Sequence, residues 1–353
     1  MSVPRRRLFI IGTVLLLVAA AVVTWFVVMR EDDEAGRLAG AVALAPESST
    51  RLGWTDWAGL REELDDSDLD AASSTREVDG FLTAGFDADL TSTSALVSSA
   101  PVLHAQFGFS PATIDWELFA QGEEGAIILM GLPDPSAAGD VEDALEEVGY
   151  QQPNEDDGVW IGGPDLLATI GNLSQELAFI TVDRERGVIA ASDESETLES
   201  WRDEERGDAD DALAEVTDDV EGALAASIYD GDYACVALAM TEADDVDRTR
   251  AAELLDEAGE IHPMRAFAIA ARPGGDVRVA MAFETEDQAR TNADTRARLA
   301  AGPAPGQGGA FPDRFTLGDV TADGTVVRME LEPLPASYVM SDLANGPVLF
   351  ATC

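Results

Sequence analysis

The stretch IDWELFAQGEEGAIILMGL, residues 114–132, decides the fold. Two apolar-rich runs flank a glycine-bounded acidic turn, and side chains alternate in character along the first run, which predicts an antiparallel hairpin. The period then changes. In PSAAGDVEDALEEVGY, residues 135–150, Val141, Leu145 and Val148 recur at helical spacing, and Gly149 is placed to stop the helix.

The same order returns three more times. ELAFITVDRERGVIAAS (176–192) precedes DESETLESW, where Asp193 and Glu196 have capping-box spacing. RAFAIAARPGGDVRVAMAFE (265–284) turns at Pro-Gly-Gly and leads into a helix capped by Thr285, with Gln288 three residues on. DRFTLGDVTADGTVVRMELEP (313–333) turns at Asp-Gly, and PASYVMSDLANG (335–346) supplies a last short helix before a terminal strand. Strands followed by segregated helices predict an α+β fold with mainly antiparallel sheets.

Working outward, STRLGWTDWAGLREEL (49–64) reads as a strand turning into a helix capped by Thr55 or Asp56. The charged run RDEERGDADD (202–211) separates two pairs of units, dividing the exported chain into lobes over 44–205 and 206–353; one continuous α+β domain is the alternative. The second lobe is expected to open with a helix near 211–226, a strand bearing Cys235, and a helix over 242–258 ending at Gly259. Its opening strand and helix parallel the WTDWAGL region, which suggests duplication.

Residues 8–29, LFIIGTVLLLVAAAVVTWFVVM, carry no charge. At a helical rise of ~1.5 Å per residue such a run crosses a hydrocarbon layer of ~30 Å. Arg5, Arg6 and Arg7 lie before it, in a basic tail over 1–7, and an acidic stalk over 30–43 follows, so the N-terminus is expected in the cytoplasm and the remainder outside. A cleaved signal peptide, with Ala19, Ala20 and Ala21 at the cleavage site, is the competing reading.

The formal charge is −46, and all 22 basic residues are arginine. Nucleic acid is excluded as a partner, because phosphate backbones are held by clustered cations and the only such cluster lies in the basic tail. With 46% hydrophobic residues the exported part can bury a core. Cys235 and Cys353 are the only cysteines, and an oxidising compartment favours an internal bridge; free thiols or an intermolecular bridge are the alternatives.

RLGWTDWAGL (51–60), GVIAASDESETLESW (187–201) and DYACVALAM (232–240), with the single anchor and the repeated strand and helix plan, resemble uncharacterised actinobacterial membrane-anchored envelope proteins with a duplicated α+β exported region. The resemblance covers most of the exported chain. It implies an envelope location and brings no catalytic residue with it.

Motifs of catalysis are sparse. His104 and His262 are the only histidines, HExxH and GxSxG are absent, and GFSPA around Ser110 lacks the second glycine. The 68 acidic residues make paired carboxylates inevitable, so abundance alone selects none as hydrolytic. Asp66, Asp68, Asp70, Ser74 and Glu77 occupy ligand positions of a calcium loop, with Ala71 where the turn normally needs glycine; a solvated acidic segment is the plain alternative. Trp54 and Trp57 flank Asp56 as a candidate ligand or partner contact, or as core.

These features predict an extracytoplasmic binding or scaffolding protein of the cell envelope, without a cofactor, held in the membrane through 8–29 and meeting envelope proteins or glycans. An envelope hydrolase using paired carboxylates, or a carrier of an apolar ligand, stands as the alternative.

Overall fold

A computed structural model of the protein describes residues 36–123, 125–155, 157–203 and 210–353. The expected membrane segment, 8–29, and the basic tail, 1–7, lie outside the described residues. Among the described residues no helix is long and apolar enough to cross a membrane.

Among the described residues, eleven strands form one sheet in which every neighbouring pair is antiparallel. They are β1 Ser49–Thr55, β2 Trp116–Gly122, β3 Gly125–Gly131, β4 Trp160–Ile161, β5 Phe179–Asp183, β6 Val188–Ser192, β7 Ala225–Asp230, β8 Ala266–Ala271, β9 Val277–Ala282, β10 Phe315–Asp323 and β11 Val326–Pro333. Their spatial order is β10-β11-β9-β8-β7-β1-β2-β3-β6-β5-β4. Outward from the centre, β1-β2-β3-β6-β5 and β7-β8-β9-β11-β10 follow the same plan, and β1 pairs with β7 between them. The sheet is therefore continuous from one half to the other, and the expected boundary at 205/206 lies in 204–209, outside the described residues.

Both sheet faces are covered, unequally. Ile128, Met130, Ile180, Phe267 and Val279 face a large core shared with helices that include Thr75–Asp87, Ala138–Val148, Asp245–Ala258 and Glu286–Ala300. Leu52, Trp54, Leu129, Ala190 and Ala268 face a smaller core under helices Arg37–Val42, Ser195–Asp203 and Asp211–Asp219. Alternate side chains of a strand point to opposite faces, so central strands such as β8, AFAIAA, are apolar throughout.

All four hairpin-then-helix units are present: β2–β3 before Ala138–Val148, β5–β6 before Ser195–Asp203, β8–β9 before Glu286–Ala300, and β10–β11 before Val339–Leu343. Gly149 ends its helix in the left-handed region at φ 102°, and Thr285 accepts from the Gln288 N–H as its cap. Gly131 is required for a different reason. It stands opposite Trp116 across the β2–β3 pair, and a Cβ there would meet the indole at 2.0 Å.

Several local expectations are corrected. The segment around Cys235 is a helix, Gly231–Ala237, because Asp230 caps it by accepting the Tyr233 N–H at 2.6 Å. The helix expected over 211–226 stops at Asp219, since Ala225 and Ala226 complete ladders with β1 and β8, and tertiary pairing overrides the helix preference of alanine. The helix expected over 242–258 starts at Asp245, where Asp244 accepts the Val246 and Asp247 amides. Part of the expected stalk is folded: Arg37–Val42 is helical, and Leu38 and Ala41 are buried.

The expected terminal strand is a 3-10 turn, Leu349–Ala351, whose Phe350 carbonyl is directed to Arg296. This fully buried guanidinium donates from Nη1 to the Phe350 and Thr352 oxygens at 2.6 and 3.0 Å, and from Nη2 to the His262 oxygen at 2.9 Å. Its Nε–H goes to Asn292 at 3.0 Å, and burial pushes its pKa down to about 9. Cys235 and Cys353 form a disulfide, so the tail is held both covalently and by a buried cation.

The edges of the sheet are protected. β4 has two residues, while β10 has nine but carries an irregularity between Leu317 and Val320 and exposes Asp319 and Asp323. A broken register and exposed charge disfavour addition of another strand.

Candidate functional site

The sheet has two ends. At one, Thr55 of β1 lies opposite Ala225 of β7; at the other are Ser49 of β1, Asp230 of β7 and the β2–β3 turn. Helix Arg37–Val42 runs from the Thr55 end toward the Ser49 end on the thinly covered face. Its start is fixed by an Arg37–Asp56 ion pair at 2.8 Å and by Glu221, which accepts the Leu38 and Ala39 amides at 3.0 Å each. Segment 43–48 follows and enters β1 through a turn in which the Ser49 N–H reaches the Pro46 oxygen. The Trp201 indole N–H holds this strap by donating to the Leu44 oxygen at 2.7 Å.

On either side of the strap is a cavity, and Pro46, Glu47 and Ser49 line both. The first, of about 560 Å³, has a floor of Val42, Leu52, Leu213 and Met264. Asp210, Asp230, Asp232 and Arg265 stand around it, and Arg265 lies 3.5 Å from Asp210. The second, of about 870 Å³, is lined by Ala120, Ile127 and Trp201, with Glu194, Glu196 and Asp203 adding carboxylates. Burial pushes the Asp230 carboxyl up, and Asp232 and Asp210 push it further by repulsion. The arrangement is an apolar floor beneath carboxylate acceptors, open at the Ser49 end.

The residues singled out in the sequence are dispersed. Trp54 lies in β1 on the thinly covered face and Trp57 begins helix Trp57–Glu63 on the other, so their spacing does not put them together. Both are buried; the Trp54 indole N–H donates to the Ala223 oxygen at 2.9 Å, and that of Trp57 to Glu117 at 3.0 Å. Asp56 caps the Trp57–Glu63 helix through the Gly59 N–H and pairs with Arg37; burial raises its carboxyl, with Arg37 opposing. Of the calcium-loop residues, Glu77 forms a reciprocal capping box with Ser74, and Asp70 accepts the Ala72 N–H at 2.8 Å. Among the described residues no group of three His, Cys, Asp or Glu side chains is arranged to hold a metal ion.

His104 and Ser110 do meet. The Ser73 carbonyl can only accept, so His104 Nε2 carries the proton at 2.7 Å from it and Nδ1 accepts the Ser110 hydroxyl at 3.1 Å. Ser110 is fully buried and its Oγ also accepts the Ala112 N–H at 3.2 Å, so the pair fastens loop to helix rather than presenting a nucleophile.

Sequence patterns did not reveal Glu117. It points from β2 into the larger core, completely buried, and accepts from the Trp57 indole, the Ser94 hydroxyl at 2.7 Å and the Ala95 N–H at 2.6 Å. Burial pushes its carboxyl up to about 7 against these donors. A charged residue at a position whose neighbours alternate as core is the one sequence signal it left. The cavities were less legible still, since their walls come from segments as distant as 42–52, 194–203 and 230–232.

No protein-family model matches the chain, and no curated protein matches it. Among solved structures, the chain is similar to one titled "Structure of crystal form I of TP0453", at 8% identity over 86% of this chain and 95% of that one, with a TM-score of 0.38.

Proposed function

We propose that this chain is a single-pass, membrane-anchored extracytoplasmic protein of the cell envelope that binds a ligand or partner at the Ser49 end of its sheet. The observation that carries this reading is the pair of adjoining cavities, whose volumes of about 560 and 870 Å³ fall in the range of small-molecule sites, roughly 300–1,000 Å³. The anchor is the uncharged run over 8–29, with arginines on one side and acids on the other. Two halves of one strand plan, read as a duplication, meet at β1 and β7, and the strap between the cavities leads into that central pair.

Carboxylates accept hydrogen bonds and the floor offers apolar contact, which suits a glycan, with hydroxyls on its edge and C–H groups on its faces, or a segment of an envelope protein. A photoreactive residue at Ser48, exposed on the wall of the second cavity, tests this in cells when compared with the same residue at exposed Glu253 on helix Asp245–Ala258. The expected result is a discrete adduct from position 48 only. Equal or absent labelling at the two positions would remove the cavities from consideration as the binding site.

A further inference from the structure

We infer that the folded body is held with the Thr55 end of its sheet toward the membrane and its two cavities at the end away from lipid. This rests on the reading of 8–29 as the anchor and adds which surface the anchor leaves available.

The exit point of the chain is structurally fixed. Residue 36 precedes a helix whose first turn is fastened at the Thr55 end, by Arg37 to Asp56 and by the Leu38 and Ala39 amides to Glu221. Leu38 and Ala41 are 1% exposed against the sheet, so the helix belongs to the core and not to a loose tether. Only residues 30–36 separate it from the apolar run. Seven residues span at most ~25 Å when fully extended, comparable to the ~20 Å length of a six-residue strand. Because the body is joined to this tether at its Thr55 end, that end lies on average nearer the bilayer than the Ser49 end.

The Thr55 end also carries the β8–β9 turn, because Ala225 pairs with Ala271 and Ala271 with Val277. The β10–β11 turn is at the opposite end, since Val326 pairs with Ala282 and Ala282 with Ala266, which pairs with Asp230. The cavities lie at this second end, beside Asp230 and Ser49. The cavities therefore open at the end of the body farther from its point of attachment.

Two exposed turn residues, Asp276 and Asp323, report on the two ends. Full-length chain carrying a fluorophore at Asp276→Cys or at Asp323→Cys is reconstituted, with its native disulfide intact, into vesicles containing a headgroup-quencher lipid. Loss of emission at 276 that exceeds the loss at 323 is the expected result. Equal loss, or greater loss at 323, on chain that sediments with the vesicles would overturn the orientation while leaving the anchor in place. Chain that stays in the supernatant, with neither label quenched, would overturn the anchor and the orientation with it.

Discussion

Arg296→Ala is expected to lower the unfolding free energy by about 4 kcal/mol, because it leaves several buried acceptors without donors, each costing ~1–3 kcal/mol, and opens a cavity in the core. The acceptors are the carbonyls of His262, Phe350 and Thr352, together with the Asn292 side chain. The guanidinium also lies 5.3 Å from the centroid of Phe283, so its removal strips a packing surface as well as donors. Loss of the unfavourable buried charge offsets part of the cost. Arg296→Lys should recover little, since one ammonium cannot reproduce the planar fork that reaches the tail on one side and His262 on the other. Chemical denaturation with the disulfide intact is the measurement. A loss below about 0.5 kcal/mol, within the range of an ordinary surface substitution, would mean that the tail is held without the arginine.

Glu117 is expected to make the fold less stable as the pH rises through neutrality. Its carboxyl is raised from an ordinary 4.5 to about 7 in the folded chain. Below pH 4.5 both states are protonated and the contribution is fully present. Between 4.5 and 7 the unfolded chain gives up the proton while the folded chain keeps it, so unfolding becomes easier as pH rises, and above 7 the contribution is gone. A displacement of that size corresponds to about 3 kcal/mol. Glu117→Gln removes the titration while keeping the shape. The stability of the native chain relative to the variant should therefore fall by about 3 kcal/mol between pH 4.5 and 8. The rest of the chain's carboxylates cancel in that difference. Parallel pH profiles for the two proteins would show that the Trp57, Ser94 and Ala95 donors hold the group ionised throughout.

The hairpins and the helices after them were legible because their information is local. Val141, Leu145 and Val148 state a helical face, Asp-Gly at 323–324 states a turn, and Thr285 with Gln288 states a cap. Misread segments were those where tertiary structure decides. Ala225 and Ala226 favour helix by themselves and become strand because β1 and β8 lie on either side of them. The run around Cys235 is apolar enough for either structure, and the cap at Asp230 settles it. No local pattern could show that β1 and β7, far apart in sequence, would pair and make one sheet of two similar halves. Trp54 and Trp57 are both core, and the strand-to-helix turn at Asp56 sends them to opposite sides of the sheet. The candidate site was the least legible part because its walls are assembled by that central pairing and by the strap before β1.

The most direct measurement is protease treatment of intact protoplasts expressing the full-length chain with a tag before Met1, followed by alkaline carbonate extraction of the membranes. The account predicts that the chain resists extraction, that external protease removes the epitopes of the folded body, and that a short tagged fragment containing 8–29 survives in the membrane. Release by carbonate, or a body protected until the membrane is permeabilised, would contradict it.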